Sequence, residues 1–305
     1  MSHTDFLAIG SVIIDDIVYP DGRTSMGVLG GGGTHTAYGM VLSGETPSLG
    51  AVVGRDLPEN IRARFENDFD TSGLIWVDHE QLRGWQIFEW NGKRSEIFRS
   101  EVSHPFLFEP YADNPHITYT SVTGLTVLRD PQYIESWRNR FPMATLLWEP
   151  DRGYMMTGDY EGFLVGIPYA DIVSPNLLEA QTVYRIKDAV EIVRRMLADG
   201  VRVMALRMGE KGSIVAQQGS STAYQIPAVA VSEIVDQTGA GNTYCGGFIV
   251  GWCRHHDLVT AGCYGAVAAS FALETIGVTD IPTDVISIFT NRLNIARQGV
   301  KEIPL

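Results

Sequence analysis

The amino-acid sequence predicts an α/β fold, with a mostly parallel sheet covered by helices on both faces. Two observations carry this expectation. Short apolar runs of strand length recur along the chain, and between them lie segments whose apolar residues return at helical spacing. A third observation qualifies it: one stretch in the first third breaks the alternation and reads as a hairpin.

In order, the strand candidates are ‘FLAIGSVII’ (6–14), ‘SLGAVVG’ (48–54), ‘HITYTSV’ (116–122), ‘ATLLWEP’ (144–150), ‘ADIVSPN’ (170–176) and ‘VRVMALRMG’ (201–209). They are continuous apolar runs rather than alternating ones, as strands buried on both faces are. The helix candidates between them are ‘THTAYGMVLSG’, ‘LPENIRARFENDF’, ‘DPQYIESWRNRF’, ‘TGDYEGFLVGI’ and ‘IKDAVEIVRRMLADG’. In the last, Ala189, Ile192, Val193, Met196 and Leu197 share one face and Arg194 and Arg195 point outward. The exception is ‘LRGWQIFEWNGKRSEIFRS’, where Asn91-Gly92 separates two alternating runs. With the turn-rich ‘DDIVYPDGRTSMGVLG’ it reads either as a small β appendage or as an ordinary edge hairpin.

The 305 residues are 45% hydrophobic and 19% charged, enough to build one large core. No linker, repeat or low-complexity segment divides the chain, so one domain over 1–305 is expected. With 23 Lys+Arg against 36 Asp+Glu the formal net charge is −13. That balance favours neither nucleic acid nor an anionic membrane, and any phosphate must be held by local backbone geometry. Cys245, Cys253 and Cys263 form no CxxC pair and read as small core residues in a reduced, cytoplasmic setting.

GxxxxGK[ST], GxSxG, HExxH and a GxGxxG after the first strand are all missing. Four clusters remain. Asp15 and Asp16 follow a buried strand, where a carboxylate can accept substrate hydroxyls or simply make a turn. Gly30 to Gly33 open a helix and let a ligand approach the backbone. Asn176 and Glu179 lie three apart at a helix start, either as a capping box or as holders of phosphate or magnesium-bound water. Finally, Gly239, Ala240 and Gly241 precede a helix without bulky side chains, leaving its first N–H groups open to an anion.

In their order and spacing these clusters resemble the ribokinase, or pfkB, family of carbohydrate and nucleoside kinases, over nearly the whole chain. The matching positions are Asp15, Gly31-Gly32, Asn176 with Glu179, Gly209 and Gly212 in ‘RMGEKGS’, and ‘DQTGAGN’. The resemblance implies a ribokinase-like three-layer α/β/α sandwich with a small β-strand lid, from about 15–28 and 80–108. It implies ATP and Mg²⁺, the metal reaching Glu179 through water, and also a monovalent cation. Substrate would be held by Asp15, Gly31, Gly32 and His35. Nucleotide would lie along Asn176, Glu179, Arg207, Gly209 and Gly212, with Gly239, Ala240 and Gly241 stabilising the transferring charge. Trp85, Phe88 and Trp90 could cover a sugar face, or only pack the hairpin. The family also suggests a homodimer through the lid.

Three positions depart from the family pattern. The final Asp, the family’s general base, is here Asn242, which marks a branch with Asn in place of the catalytic Asp. His35 stands where ribokinase-like members have a sugar-contacting Asn, and Arg207-Met208-Gly209 replaces Thr-x-Gly. An amide can orient a hydroxyl but not deprotonate it. General-base catalysis contributes roughly 10²–10⁴-fold, whereas phosphoryl transfer rests mostly on positioning and charge stabilisation. Two readings follow: a slow phosphotransferase acting on a sugar-like or nucleoside hydroxyl, or a non-catalytic sugar- or nucleotide-binding regulatory or scaffolding protein.

Overall fold

The structure is a computed structural model that describes residues 2–90, 94–99 and 105–305. Its strands are β1 (Ser2–Ile9), β2 (Ile13–Val18), β3 (Thr24–Gly30), β4 (Ser48–Gly54), β5 (Leu74–Val77), β6 (Arg83–Phe88), β7 (Arg94–Phe98), β8 (Tyr119–Arg129), β9 (Thr145–Pro150), β10 (Ile172–Val173), β11 (Val203–Arg207), β12 (Ser213–Gln217), β13 (Thr222–Ile226) and β14 (Lys301–Pro304). Among the described residues they form a ten-stranded sheet, ordered β14-β13-β12-β11-β10-β9-β8-β1-β4-β5, and a four-stranded sheet, ordered β3-β2-β6-β7. The large sheet is parallel from β11 through β5 and antiparallel from β11 out to β14.

Two hydrophobic cores lie on the two faces of the large sheet, and the strands divide their side chains between them with period two. In β1, Phe6 and Ala8 join one core and Leu7 and Ile9 the other; in β9, Leu147 opposes Leu146 and Trp148. The first core is closed by the helices Gly32–Leu42, Glu59–Asp68, Ala240–His255, Leu258–Ala272 and Val285–Gln298. The second is closed by Ile134–Arg140, Tyr160–Gly166, Leu177–Tyr184 and Ala189–Ala198. This is the ribokinase-like α/β/α sandwich with a small second sheet. Among the described residues no helix is long and apolar enough to cross a membrane.

The run 6–14, expected as one strand, is two strands in two sheets. Gly10 lies against Gly33, where a Cβ would come within 2.6 Å of the opposing backbone, and the chain then crosses over. The Ile14 N–H donates to the Leu82 carbonyl at 2.9 Å as it enters the small sheet. Asp15 and Asp16 therefore sit within β2 rather than after a strand of the large sheet. The run 170–176 contracts to Ile172–Val173, because Asn176 is already committed to capping the next helix. The strand expected at 116–122 instead starts at Tyr119 and runs to Arg129. The Asn91-Gly92 turn lies outside the described residues. Its flanks β6 and β7 pair antiparallel, from Gly84 opposite Phe98 to Phe88 opposite Arg94.

One contact positions the site. The helices Gly32–Leu42 and Ala240–His255 cross so closely that a Cβ on Gly39 would lie 2.2 Å from the Thr243 carbonyl oxygen. One on Gly246 would lie 2.0 Å from that of Thr36. Glycine at these two positions brings both helix N-termini, at Gly31–Gly32 and Gly239–Gly241, to one place.

Candidate active site

Between the small sheet and the ends of β8, β9 and β11 lies a cavity of about 1240 Å³. It opens where the carboxyl ends of parallel strands in α/β sheets usually receive ligands. Asp15, Gly31, Gly32, His35, Glu149, Asn176, Glu179, Arg207, Gly239, Gly241 and Asn242 all reach its wall.

At one end, Asp15 is buried and its Oδ1 accepts a hydrogen bond from Gln86 Nε2 at 2.9 Å. The same amide nitrogen donates to Glu96 at 2.6 Å, so β2, β6 and β7 fix this carboxylate together. Asp16 instead accepts the Gly27 N–H at 2.9 Å and stays out of the cavity. Gln86 and Phe88 line the cavity and Trp85 does not, as strand alternation requires; Trp90 reaches the wall from beyond the strand.

In the glycine loop, Gly31 has φ of 97° and a Cβ there would strike the Ser11 carbonyl. Only glycine is comfortable in that conformation. A Cβ on Gly32 would come 3.3 Å from Asn242 Nδ2. His35 is buried, and its ring packs so close over Gly239 that a Cβ on that residue would fall 2.2 Å from it.

Next to the glycine loop and His35 lies the turn before the helix Ala240–His255. Gly239 caps it in the left-handed conformation with φ of 73°. The Asp236 carboxylate accepts the Thr238 N–H at 2.8 Å and the Gly277 N–H at 3.3 Å, and so sets the turn. The first-turn amides have no intrahelical acceptor. A 16-residue helix adds roughly half a positive charge at this end.

Asn176 and Glu179 form a complete capping box: Asn176 Oδ1 accepts the Glu179 N–H at 2.9 Å, and Glu179 accepts the Asn176 N–H at 2.9 Å. Burial pushes the Glu179 carboxyl above the usual range, while Arg207 and the Asn176 N–H pull it back. Gly209 and Gly212 both have positive φ and shape the turn between β11 and β12, but they do not line the cavity. Among the described residues no three His, Cys, Asp or Glu side chains could hold a metal ion.

Sequence reasoning missed Glu149, at the end of β9. Its Oε1 accepts from Arg207 Nη1 at 2.7 Å and its Oε2 from Asn242 Nδ2 at 3.0 Å. A carboxylate only accepts, so this bond fixes the amide with its nitrogen toward Glu149. The signal was a lone acid closing the apolar run ‘ATLLWEP’. Also missed were Arg129 and Glu109, paired at 2.7 Å, with the guanidinium over Tyr111 and Tyr133 at 4.9 and 4.3 Å from the ring centres. Burial pushes the Glu109 carboxyl up to about 7 despite Arg129. All three cysteines are free, and burial pushes the Cys253 and Cys263 thiols up to about 11.

The model of the pfkB family carbohydrate kinases matches residues 158–284, which hold Asn176, Glu179, Arg207 and the turn 236–242. The chain is 24% identical to the cytidine kinase of Thermococcus kodakarensis over 272 residues, covering 83% of this chain and 90% of that one. The chain is thus similar to pfkB family carbohydrate kinases in this segment, and to nucleoside kinases over most of its length. Solved structures share the fold. The nucleoside kinase of Burkholderia thailandensis in complex with inosine superposes with a TM-score of 0.75 at 19% identity, over 95% of this chain and 98% of that one. A putative ribokinase II from E. coli in complex with ATP and Mg²⁺ gives 0.73 at 15% identity, over 94% and 99%. Asn242 and the Arg207–Glu149 pair meet on the wall of the cavity.

Proposed function

We propose that the protein transfers the γ-phosphate of ATP, carried as its magnesium complex, to a hydroxyl of a sugar-like or nucleoside substrate. One observation carries this reading: Gly239 and Gly241 of the turn, Asn242 and the buried carboxylate of Asp15 all line a single cavity, although Ala240 does not and its N–H donates to the Gln237 carbonyl. Asp15, with Gly31, Gly32 and His35 beside it, binds the acceptor beneath the small sheet, which acts as the lid. Asn176, Glu179 and Arg207 take the nucleotide, with Gly209 and Gly212 shaping the strand turn behind it. Gly239, Ala240 and Gly241 form the anion hole, where backbone amides meet charge as it spreads over the transferring group. The Asn242 amide, held by Glu149, turns its oxygen toward the acceptor hydroxyl and orients it. Magnesium, when bound, neutralises the phosphate charge. Closure of the lid excludes water, which would otherwise compete as acceptor.

The second reading, a protein that binds sugar or nucleotide without turnover, is favoured by Asn242 alone. Incubating the purified chain with MgATP and a panel of sugars and nucleosides, followed by product mass, separates the two. A phosphorylated product supports transfer. Nucleotide binding without product, in both wild type and Asn242→Asp, supports the binding protein.

A further inference from the structure

Three observations converge on Glu149. It lines the cavity, its carboxylate is 3.0 Å from the side chain at the family’s base position, and Arg207 occupies its other oxygen at 2.7 Å. The Arg207 guanidinium also lies on the anion turn: a Cβ on Gly241 would fall 2.2 Å from its Nη1. Its Nη2 donates to the Ser174 carbonyl at 2.8 Å, whereas its Nε is buried without a hydrogen-bond partner. A guanidinium beside an anion turn, with one donor uncommitted, is placed to serve phosphate. A polyphosphate entering that turn competes with Glu149 for the same cation, and by charge it competes well.

We propose that Glu149 is the proton acceptor of this site, masked by Arg207 until nucleotide phosphate draws the guanidinium toward the turn. The inference rests on the phosphotransfer reading above. As the acceptor oxygen forms its bond to the γ-phosphorus, the bond to the β,γ-bridging oxygen breaks and ADP leaves with that electron pair. The hydroxyl proton passes to Glu149 across at most one water, and the resulting carboxylic acid later returns it to solvent. Asn242 holds the hydroxyl and the carboxylate in register. The carboxylate that the family supplies from the helix start is thus supplied here from the end of a strand, with Arg207 keeping it paired between turnovers.

The decisive comparison is the kcat of wild type, E149Q, N242D and E149Q/N242D, with MgADP affinity measured on each. E149Q is expected to lose about 10²–10⁴-fold in kcat while binding MgADP more tightly, because Arg207 is released. N242D in the wild-type background is expected to gain less than about tenfold, since a base is already present and two carboxylates then crowd together. In the E149Q background the same change should restore at least tenfold. A loss of less than tenfold in E149Q overturns the proposal and leaves phosphotransfer standing. Should E149Q fail to fold, N242D alone decides: a gain of a hundredfold or more means that no base was present, and the proposal falls. Absence of product from every chain, with MgADP bound, overturns the phosphotransfer reading itself.

Discussion

Replacing Arg207 with Met is the perturbation whose size follows most directly from the geometry. The guanidinium donates to Glu149 at 2.7 Å and to the Ser174 carbonyl at 2.8 Å, and the two charged side chains are only 11% and 7% exposed. Met fills similar space and removes the charge, leaving Glu149 buried with its charge uncompensated and the Asn242 amide still donating to it. Breaking a buried pair from one side costs about 3–5 kcal/mol, mainly because the surviving charge stays desolvated. In a chain of this size that corresponds to a fall of roughly 6–10 °C in Tm, at about 2 °C per kcal/mol. Replacing both partners with Met removes the stranded charge, and stability should return to within about 1 kcal/mol of wild type. Urea and thermal unfolding followed by circular dichroism on the two single variants and the double variant measure this. The reasoning is refuted if Arg207→Met loses less than about 1 kcal/mol, the range of a solvent-screened surface pair, or if the double variant is as unstable as the sum of the singles.

Three further outcomes are expected. Gly246→Ala puts a methyl 2.0 Å from the Thr36 carbonyl oxygen, so the two crossing helices must part; overpacking should cost about 1–3 kcal/mol, and turnover should fall at least tenfold as both N-termini shift. Unchanged turnover would show that the crossing does not set the site. Glu109, with its carboxyl pushed up to about 7 by burial, binds more protons folded than unfolded between the ordinary Glu value and 7. Its contribution is complete below about 4.5 and is lost as pH rises through 7, about 3 kcal/mol over that window. Tm against pH should therefore show a falling contribution that Glu109→Gln flattens, and an identical profile in the variant would exclude it. Asn176→Ala removes a helix N-cap and should cost about 1 kcal/mol in unfolding assays, with a much larger loss pointing to a role beyond capping.

The features legible in the sequence were those encoded locally. ‘DQTGAGN’ announces a helix start through its small residues, and the helix Ala240–His255 begins there. The Asn176 to Glu179 spacing implies a capping box, and the structure contains one. The alternation of apolar runs and helical segments follows from burial on both faces of the sheet. Other features depend on partners far away in the chain. Nothing within 6–14 marks the break at Gly10, because its cause is the opposing backbone of Gly33. Glu149 looked like one more residue of a buried strand, since Arg207 and Asn242 meet it only in three dimensions. For the same reason His35 read as a substrate contact alone, without its packing over Gly239.

The most direct test of the central claim is the mass of the acceptor after incubation of wild-type protein with MgATP and a panel of sugars and nucleosides. Phosphoryl transfer predicts one acceptor heavier by a phosphoryl group, with ADP formed in equal amount. Bound nucleotide with no phosphorylated acceptor, from wild type and from Asn242→Asp alike, would contradict it.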